Sequence, residues 1–418
     1  LLRLVLRALF CRSGHHVISS EQPETSGRKS FYRDRSFWGL TISQLLGAFN
    51  DNLFKQLVLL LCLEEAAEVA SESGGEVLDR FQPIAMAVFA IPWILFSGLS
   101  GFFADRVSKR RVVLLCKSME IVVMSCGLLA FLSGQLWTLF VVLFLMSAQS
   151  TVFGPAKFGI LPEQFRHEDL PRINGIFQMT TFLAIIFGAA SAGILKVLLP
   201  GQEGLALVSV VSIGIAIVGT VAASIVRPTP VAQPGLKLSW RAVGIDRENW
   251  QLLQNNRFLL GVLLVSSLFW FVAGVVQPSV NSLGKYDLKL SSDRIGILQA
   301  CMGIGIAFGC VMSGRLSRKR VRFALVRGGI CGMVVGFPVL TAISYLGPVG
   351  DVAGTLDTTL ESGNLILEAT AAEWMARGCL IWLGGCAGFF AVPLQVVLQS
   401  VPPESQKGRM IGTMNLVN

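Results

Sequence analysis

The chain is short of charge, of histidine and of every sequence signature that would mark an enzyme. Charged residues make up 15% of its 418 positions, against roughly 25% in an ordinary soluble domain. The apolar share is 53% and the mean hydropathy is +0.63, so a water-soluble globular chain is excluded. Histidine occurs only at His15, His16 and His167. None has an Asp five residues on, the acid–base pairing of membrane acyltransferases, and no Gly-x-Ser-x-Gly turn presents a serine nucleophile. The Gly-x-x-x-x-Gly-Lys-Ser/Thr loop that cradles nucleotide phosphates is missing as well. The 9 cysteines stand singly, without a Cys-x-x-Cys pair, so they read as small packing residues in apolar runs. No zinc site or other metal is predicted, and no cofactor.

What is present is a series of long apolar runs. A helix crossing a bilayer needs about 20 such residues. Spans are expected near 37–63, 81–104, 112–133, 136–154, 172–199, 205–226, 258–281, 295–314, 322–346 and 376–401, with an eleventh opening near 410. The runs are too long and too evenly apolar for barrel strands. The net charge of +9 does not imply nucleic-acid binding, because the basic residues sit in short loops beside these runs. Arg106, Lys109, Arg110 and Arg111 follow the second span, five basic residues lie between 227 and 257, and Arg315 to Arg322 follow the eighth. The acids collect on the opposite side, at 64–79 and at 351–373. By the positive-inside rule the N-terminus is expected in the cytoplasm.

Two halves repeat one plan. Pro162-Glu163 followed by Arg172-x-x-Gly175 opens the fifth span, and Pro403-Glu404 followed by Arg409-x-x-Gly412 opens the eleventh. The expected organisation is a disordered cytoplasmic leader at 1–36, a six-helix half at 37–226, a cytoplasmic linker at 227–257 and a second, truncated half at 258–418. Two parallel halves around a central site are a transporter plan.

The chemistry-bearing residues cluster in the first half. Gln44, Gly47, Asp51 and Lys55 share one face of the first span, and the i,i+4 spacing of Asp51 and Lys55 permits an ion pair. Ionisable groups inside a span face a pathway or one another, so Asp51, Asn52 and Lys55 are expected to line a substrate path. Lys157, between Gly154-Pro155 and Pro162, is expected to leave a cation near a broken helix end, either suited to a phosphate or snorkelling to the interface. Lys117 and Glu120 belong to the same tally of pathway charges, whereas the second half offers mainly amides, among them Gln277, Asn281 and Gln299.

The run Gly101-Phe102-Phe103-Ala104-Asp105-Arg106 with its following basic cluster resembles the signature loop of the major facilitator superfamily. An Asp at this edge can accept hydrogen bonds from helix N-terminal amides or pair with an Arg. The resemblance implies an all-α membrane protein of the major facilitator fold, two six-helix halves of which the chain ends within helix eleven. It also implies gating roles for Gly101, Asp105, Arg106 and Arg110. The corresponding second-half loop, Gly314 to Arg320, lacks the Asp. Three stretches are similar to the bacterial lysophospholipid transporters: Gly47-Ala48-Phe49-Asn50-Asp51-Asn52, Gly154-Pro155-Ala156-Lys157-Phe158-Gly159, and Gly384 to Leu394. Those proteins carry an arginine after the Phe-Trp of the seventh span. Here Phe269-Trp270 is followed by Gln277 and no basic residue until Lys285. The implied function is a secondary transporter of the inner membrane, working by alternating access. It would take a lipid-like small molecule, a lysophospholipid flipped for reacylation, at Asp51, Asn52, Lys55, Lys157 and Gln277. The implied partners are membrane lipids and a cytoplasmic acyltransferase, which is fused to some members. The alternatives are a drug or small-solute facilitator on the same fold, and an integral membrane acyltransferase.

Overall fold

A computed structural model describes residues 31–73, 80–236, 244–290, 292–317, 321–345 and 369–417. Of the leader expected at 1–36, residues 1–30 lie outside the described residues. Twelve α-helices are present among them. The first six are α1 (Arg35–Ser73), α2 (Phe81–Arg106), α3 (Lys109–Ser133), α4 (Leu136–Gln164), α5 (Leu170–Leu198) and α6 (Gly201–Ser224). A short helix, α7 (Arg247–Asn255), precedes α8 (Arg257–Ser282), α9 (Ser292–Ser317), α10 (Phe323–Tyr345), α11 (Ala371–Ser400) and α12 (Lys407–Val417). Ten of the described helices are long and apolar enough to cross a membrane, one for each of the ten complete runs in the sequence. Leu129, Val141 and Phe271 are each more than 60% exposed, which in water would be an association surface and in a bilayer meets lipid.

Three local features differ from the sequence expectation. The helix of the first span does not stop at residue 63 but runs on to Ser73. Leu63-Glu64-Glu65-Ala66-Ala67-Glu68 is a run of strong helix formers, so Glu64 and Glu65 are helical rather than in a loop. The Gly-Pro run around Lys157 does not break its helix either, since α4 is continuous with Pro155 and Pro162 inside it. Neighbouring helices and side chains satisfy the backbone groups that a proline frees. The connecting segment, expected only as a polar tether, contains α7.

The chain divides into two compact units. Among the described residues the larger spans 31–170, 184–264 and 397–417; in it α3 packs on α6 and α4, α2 on α4 and α12, and α1 on α6. Its apolar core includes Leu53, Phe54, Leu57, Met124, Phe131, Leu143 and Met146. The other unit spans 171–183 and 265–396 among the described residues, with a core of Val280, Leu283, Leu298, Ile343, Ala376 and Leu380. Within it, small residues bring α9 and α11 into backbone contact. Gly305 and Gly309 face Ile381 and Gly385, while Gly384 and Gly388 face the backbone of Met302 and Cys310.

The sequence repeat has a structural counterpart inside each unit. A Cβ on Gly101 would lie 2.7 Å from the Cα of Arg409, and one on Gly412 would lie 2.5 Å from the carbonyl of Ser97. In the other unit a Cβ on Gly314 would lie 2.7 Å from the carbonyl of Pro171, and one on Gly175 would lie 2.6 Å from that of Cys310. The two helix-opening Arg-x-x-Gly marks thus sit in matching close crossings. Because the obstructing atoms are backbone, they cannot step aside. Gly101→Ala and Gly314→Ala should each cost about 1–3 kcal/mol, the usual range for overpacking. Thermal midpoints of the two variants in detergent check this, and a native midpoint in either would show that its crossing can spread.

Candidate functional site

Four helices of the larger unit bring ionisable side chains together. On α3, Lys117 donates to Glu120 at 2.6 Å, and both side chains are buried. The Asn50 amide of α1 donates to the other Glu120 oxygen at 3.2 Å and to the Ser212 carbonyl of α6 at 2.9 Å. The ammonium of Lys117 also lies 5.1 Å from the Phe153 ring of α4. Room for it comes from Gly47, where any Cβ would collide with Lys117 Nζ. The residue is Gly because a buried cation occupies the space beside it.

Asp51 lies on the neighbouring face of α1. Its Oδ2 accepts a hydrogen bond from Ser150 of α4. The same hydroxyl is 3.3 Å from Gln149 Oε1, and Gln149 donates to the Cys116 carbonyl of α3 at 3.1 Å. Asp51 Oδ1 is buried and accepts no hydrogen bond from the described residues. Glu120, Lys117 and Lys157 are all within electrostatic reach of this carboxylate. Lys157 lies between two rings, 5.2 Å from Phe153 and 5.2 Å from Phe158. Two carboxylates, Asp51 and Glu120, therefore share one region inside the spans with the ammonium groups of Lys117, Lys157 and, towards α2, Lys55.

The Asp51–Lys55 pair that the helical spacing permits does not form. Lys55 is turned to α2, with its ammonium 5.0 Å from the Phe89 ring, and the Ser150 hydroxyl holds Asp51 instead. Asn52 spends its amide on the Ala48 carbonyl of its own helix at 2.8 Å. Gln277 falls within α8, with its side chain outside the described residues. Of the substrate-path residues, Asp51 and Lys157 are thus brought together, while Lys55 is directed to α2.

At the other end of α2, the buried Asp105 takes both roles open to it from sequence. It accepts from the backbone amides of Gly408 at 2.8 Å and Arg409 at 3.0 Å, in the first turn of α12, and from Arg409 Nε at 3.3 Å. A helix N-terminus has unpaired amides and a positive dipole end, so a carboxylate suits it. Arg110 does the complementary job at a C-terminus, donating to the carbonyls of Ser224 at 3.1 Å and Val226 at 2.6 Å beyond α6. Arg106 is exposed, 5.6 Å from the Phe102 ring. Lys109 of the same basic cluster does not face solvent. It is fully buried in an ion pair with Glu163 at 2.5 Å.

Asn50 is quoted from the sequence only as part of a motif, without a partner, and Gln149 and Ser150 are not singled out there, although a polar Gln-Ser pair inside an apolar run is a usable signal. A buried set in the other unit was missed as well. Glu373 accepts from Arg377 at 2.5 Å and from Arg294 at 3.1 Å, and Arg377 covers the Trp374 ring at 4.7 Å. Glu373 had been counted among loop acids, but it lies in the first turn of α11. The four-residue Glu-to-Arg step was the available clue.

The fold and these partnered intramembrane charges define a polytopic α-helical membrane protein built to hold charge inside its spans. The family model described as Major Facilitator Superfamily matches residues 40–418. The chain belongs to that superfamily of transporters and not to a family of enzymes. Among curated proteins it is similar to the lysophospholipid transporter LplT of Enterobacter sp. (strain 638). The two are 28% identical over 393 residues, covering 89% of this chain and 83% of the relative. The LplT of Salmonella gallinarum is 25% identical, covering 90% and 82%. Among solved structures, the human organic anion transporter MFSD10 superposes with a TM-score of 0.66 at 14% identity, covering 92% of this chain and 89% of that one. That likeness shows the shared fold.

A buried ion pair stripped of one partner strands the other charge. Lys117→Met should therefore destabilise the protein by roughly 3–5 kcal/mol, and adding Glu120→Leu should recover much of the loss. Unfolding midpoints of the single and double variants in detergent read this out. A double variant worse than the single would show that Glu120 is held mainly by Asn50.

Proposed function

We propose that this transporter moves a lysophospholipid across the inner membrane toward the cytoplasm, where it is reacylated. The observation that carries the reading is similarity along nine-tenths of the chain to transporters of that substrate. The site chemistry supports it. A zwitterionic head needs an anion for its amine and a cation for its phosphate. Asp51, with one oxygen that takes no hydrogen bond from the described residues, suits the amine. Lys157, and Lys55 one turn along α1, suit the phosphate. Asn52 and Gln277 supply neutral polar contacts, and the apolar faces of the spans accept the single acyl tail.

Transport follows by alternating access, with the half at 37–226 rocking against the half at 258–418. The loop bias of Lys and Arg sets the leader at 1–36 and the linker at 227–257 in the cytoplasm. Asp105 on the α12 N-terminus then closes the cytoplasmic face. Gly101 allows the crossing, Arg110 fixes the end of α6, and Arg106 lies at the lipid headgroups. Delivery at this face suits a cytoplasmic acyltransferase as partner.

Uptake of labelled lysophosphatidylethanolamine into spheroplasts lacking their own transporter tests the assignment. The native protein should restore uptake. Asp51→Asn should lower it at least about tenfold, ~1.4 kcal/mol, at unchanged membrane abundance. Unaltered uptake in Asp51→Asn would remove its assigned role. No uptake by well-expressed native protein would reject this substrate and move the search to drugs and other small solutes.

A further inference from the structure

We infer that the segment connecting the two sets of spans is a working part of the latch at α12, not a passive tether. The inference rests on the reading of Asp105 as a closing element. The key residue is Arg409, buried to 5% exposure. An arginine has five N–H donors in a fixed fork, and here every nitrogen is engaged. Nε donates to Asp105 at 3.3 Å, Nη1 to Asp246 at 2.5 Å, and Nη2 to Gln233 at 2.9 Å and the Ser405 carbonyl at 3.3 Å. Glu248 approaches Nη2 at 3.0 Å.

Only one of these side-chain acceptors, Asp105, belongs to a span. Gln233, Asp246 and Glu248 all come from the connecting segment, the last two at the start of α7. One guanidinium balances one carboxylate, so the bonds of Arg409 to Asp246, Gln233 and Glu248, rather than a balance of charge, tie the segment to α12. Two further bonds join the same elements: the Gln233 backbone N–H donates to the Asp105 carbonyl at 2.9 Å, and the fully buried Asn249 of α7 donates to Thr413 of α12 at 3.3 Å. Thr413 in turn donates to the Arg409 carbonyl at 2.9 Å. The first two turns of α12 are thus held by α2 on one side and by the connecting segment on another.

For the latch to open, α12 must leave Asp105; Gln233 is bonded through its backbone to Asp105, so Arg409 must also give up Gln233 or draw the segment with it. The segment therefore sets how readily this face opens. Asp246 carries more of the grip than Glu248, which is half exposed and screened by solvent.

Hydrogen–deuterium exchange of the full-length protein in lipid nanodiscs tests this, comparing native protein with Asp246→Asn/Glu248→Gln and with Asp105→Asn. In the segment variant the amides of 408–413 should exchange at least about fivefold faster, with peptides from 323–345 unchanged. Native exchange at 408–413 in the segment variant, beside faster exchange in Asp105→Asn, would overturn the segment's role and leave the Asp105 latch standing. Native exchange in both variants would remove the latch reading and this inference with it. Faster exchange spread evenly over the chain would mean general destabilisation and would also overturn the proposal. If the double variant does not assemble, Asp246→Asn alone serves, with the same outcomes.

Discussion

A charge withdrawn from water into a membrane span must find partners, because hydrocarbon offers none. The arrangement of this protein follows from that constraint. Lys117 takes Glu120, which takes Asn50, which takes the Ser212 carbonyl, and the chain of bonds joins α1, α3 and α6. Lys109 takes Glu163 and joins α3 to the end of α4. Glu373 takes Arg294 and Arg377 and joins α9 to α11. In each set the pairing fixes which helices are neighbours. The energy gained is modest, since desolvation consumes most of the attraction. Specificity is the larger effect, because a wrong neighbour would leave a buried charge alone.

Seen this way, Asp51 stands apart from the other intramembrane acids. Lys117, Glu120, Lys109 and Glu373 each have a partner of opposite charge in direct contact. Asp51 has a hydroxyl on one oxygen and no protein donor on the other among the described residues. Its nearest cations are within electrostatic reach but make no ion pair with it. An acid kept inside a span without its own counter-ion is costly, and that cost is the physical argument for a role beyond structure. A bound cationic group would complete the site as Lys117 completes Glu120.

The spans and the end caps of the fold were legible in the sequence because they rest on composition and on one helical period. Ten apolar runs became ten helices, and Gly101-x-x-x-Asp105 was readable as an acceptor for helix amides. Partners across helices were not legible. The i,i+4 rule paired Asp51 with Lys55 because both lie on one helix, but it carries no information about Ser150 on α4 or Phe89 on α2. Similarly, Pro155 signals a break in water, whereas α4 continues through it in the packed bundle. Glu373 looked like a loop residue because a long acidic stretch precedes it. Helix α11 begins at Ala371, ahead of the apolar run that marked it, and so takes Glu373 into its first turn.

The repeat carries an asymmetry with consequences. Gly101 and Gly314 make equivalent crossings, the first on Gly408 and Arg409, the second on Pro171 and Arg172. Four residues after the first glycine stands Asp105, and four after the second stands Arg318. Glycine has been kept where backbones touch, because that crossing needs small size whatever the chemistry. The carboxylate is present on one side only. At the α5 crossing a proline occupies the first turn, which removes one of the amides that a carboxylate would cap. At the α12 crossing the amides of Gly408 and Arg409 are both free to bond, and Asp105 takes both. The crossing that has amides to satisfy holds the acid, and the one whose first turn carries proline has lost it. Sequence and backbone agree on which of the two crossings holds a carboxylate on helix amides.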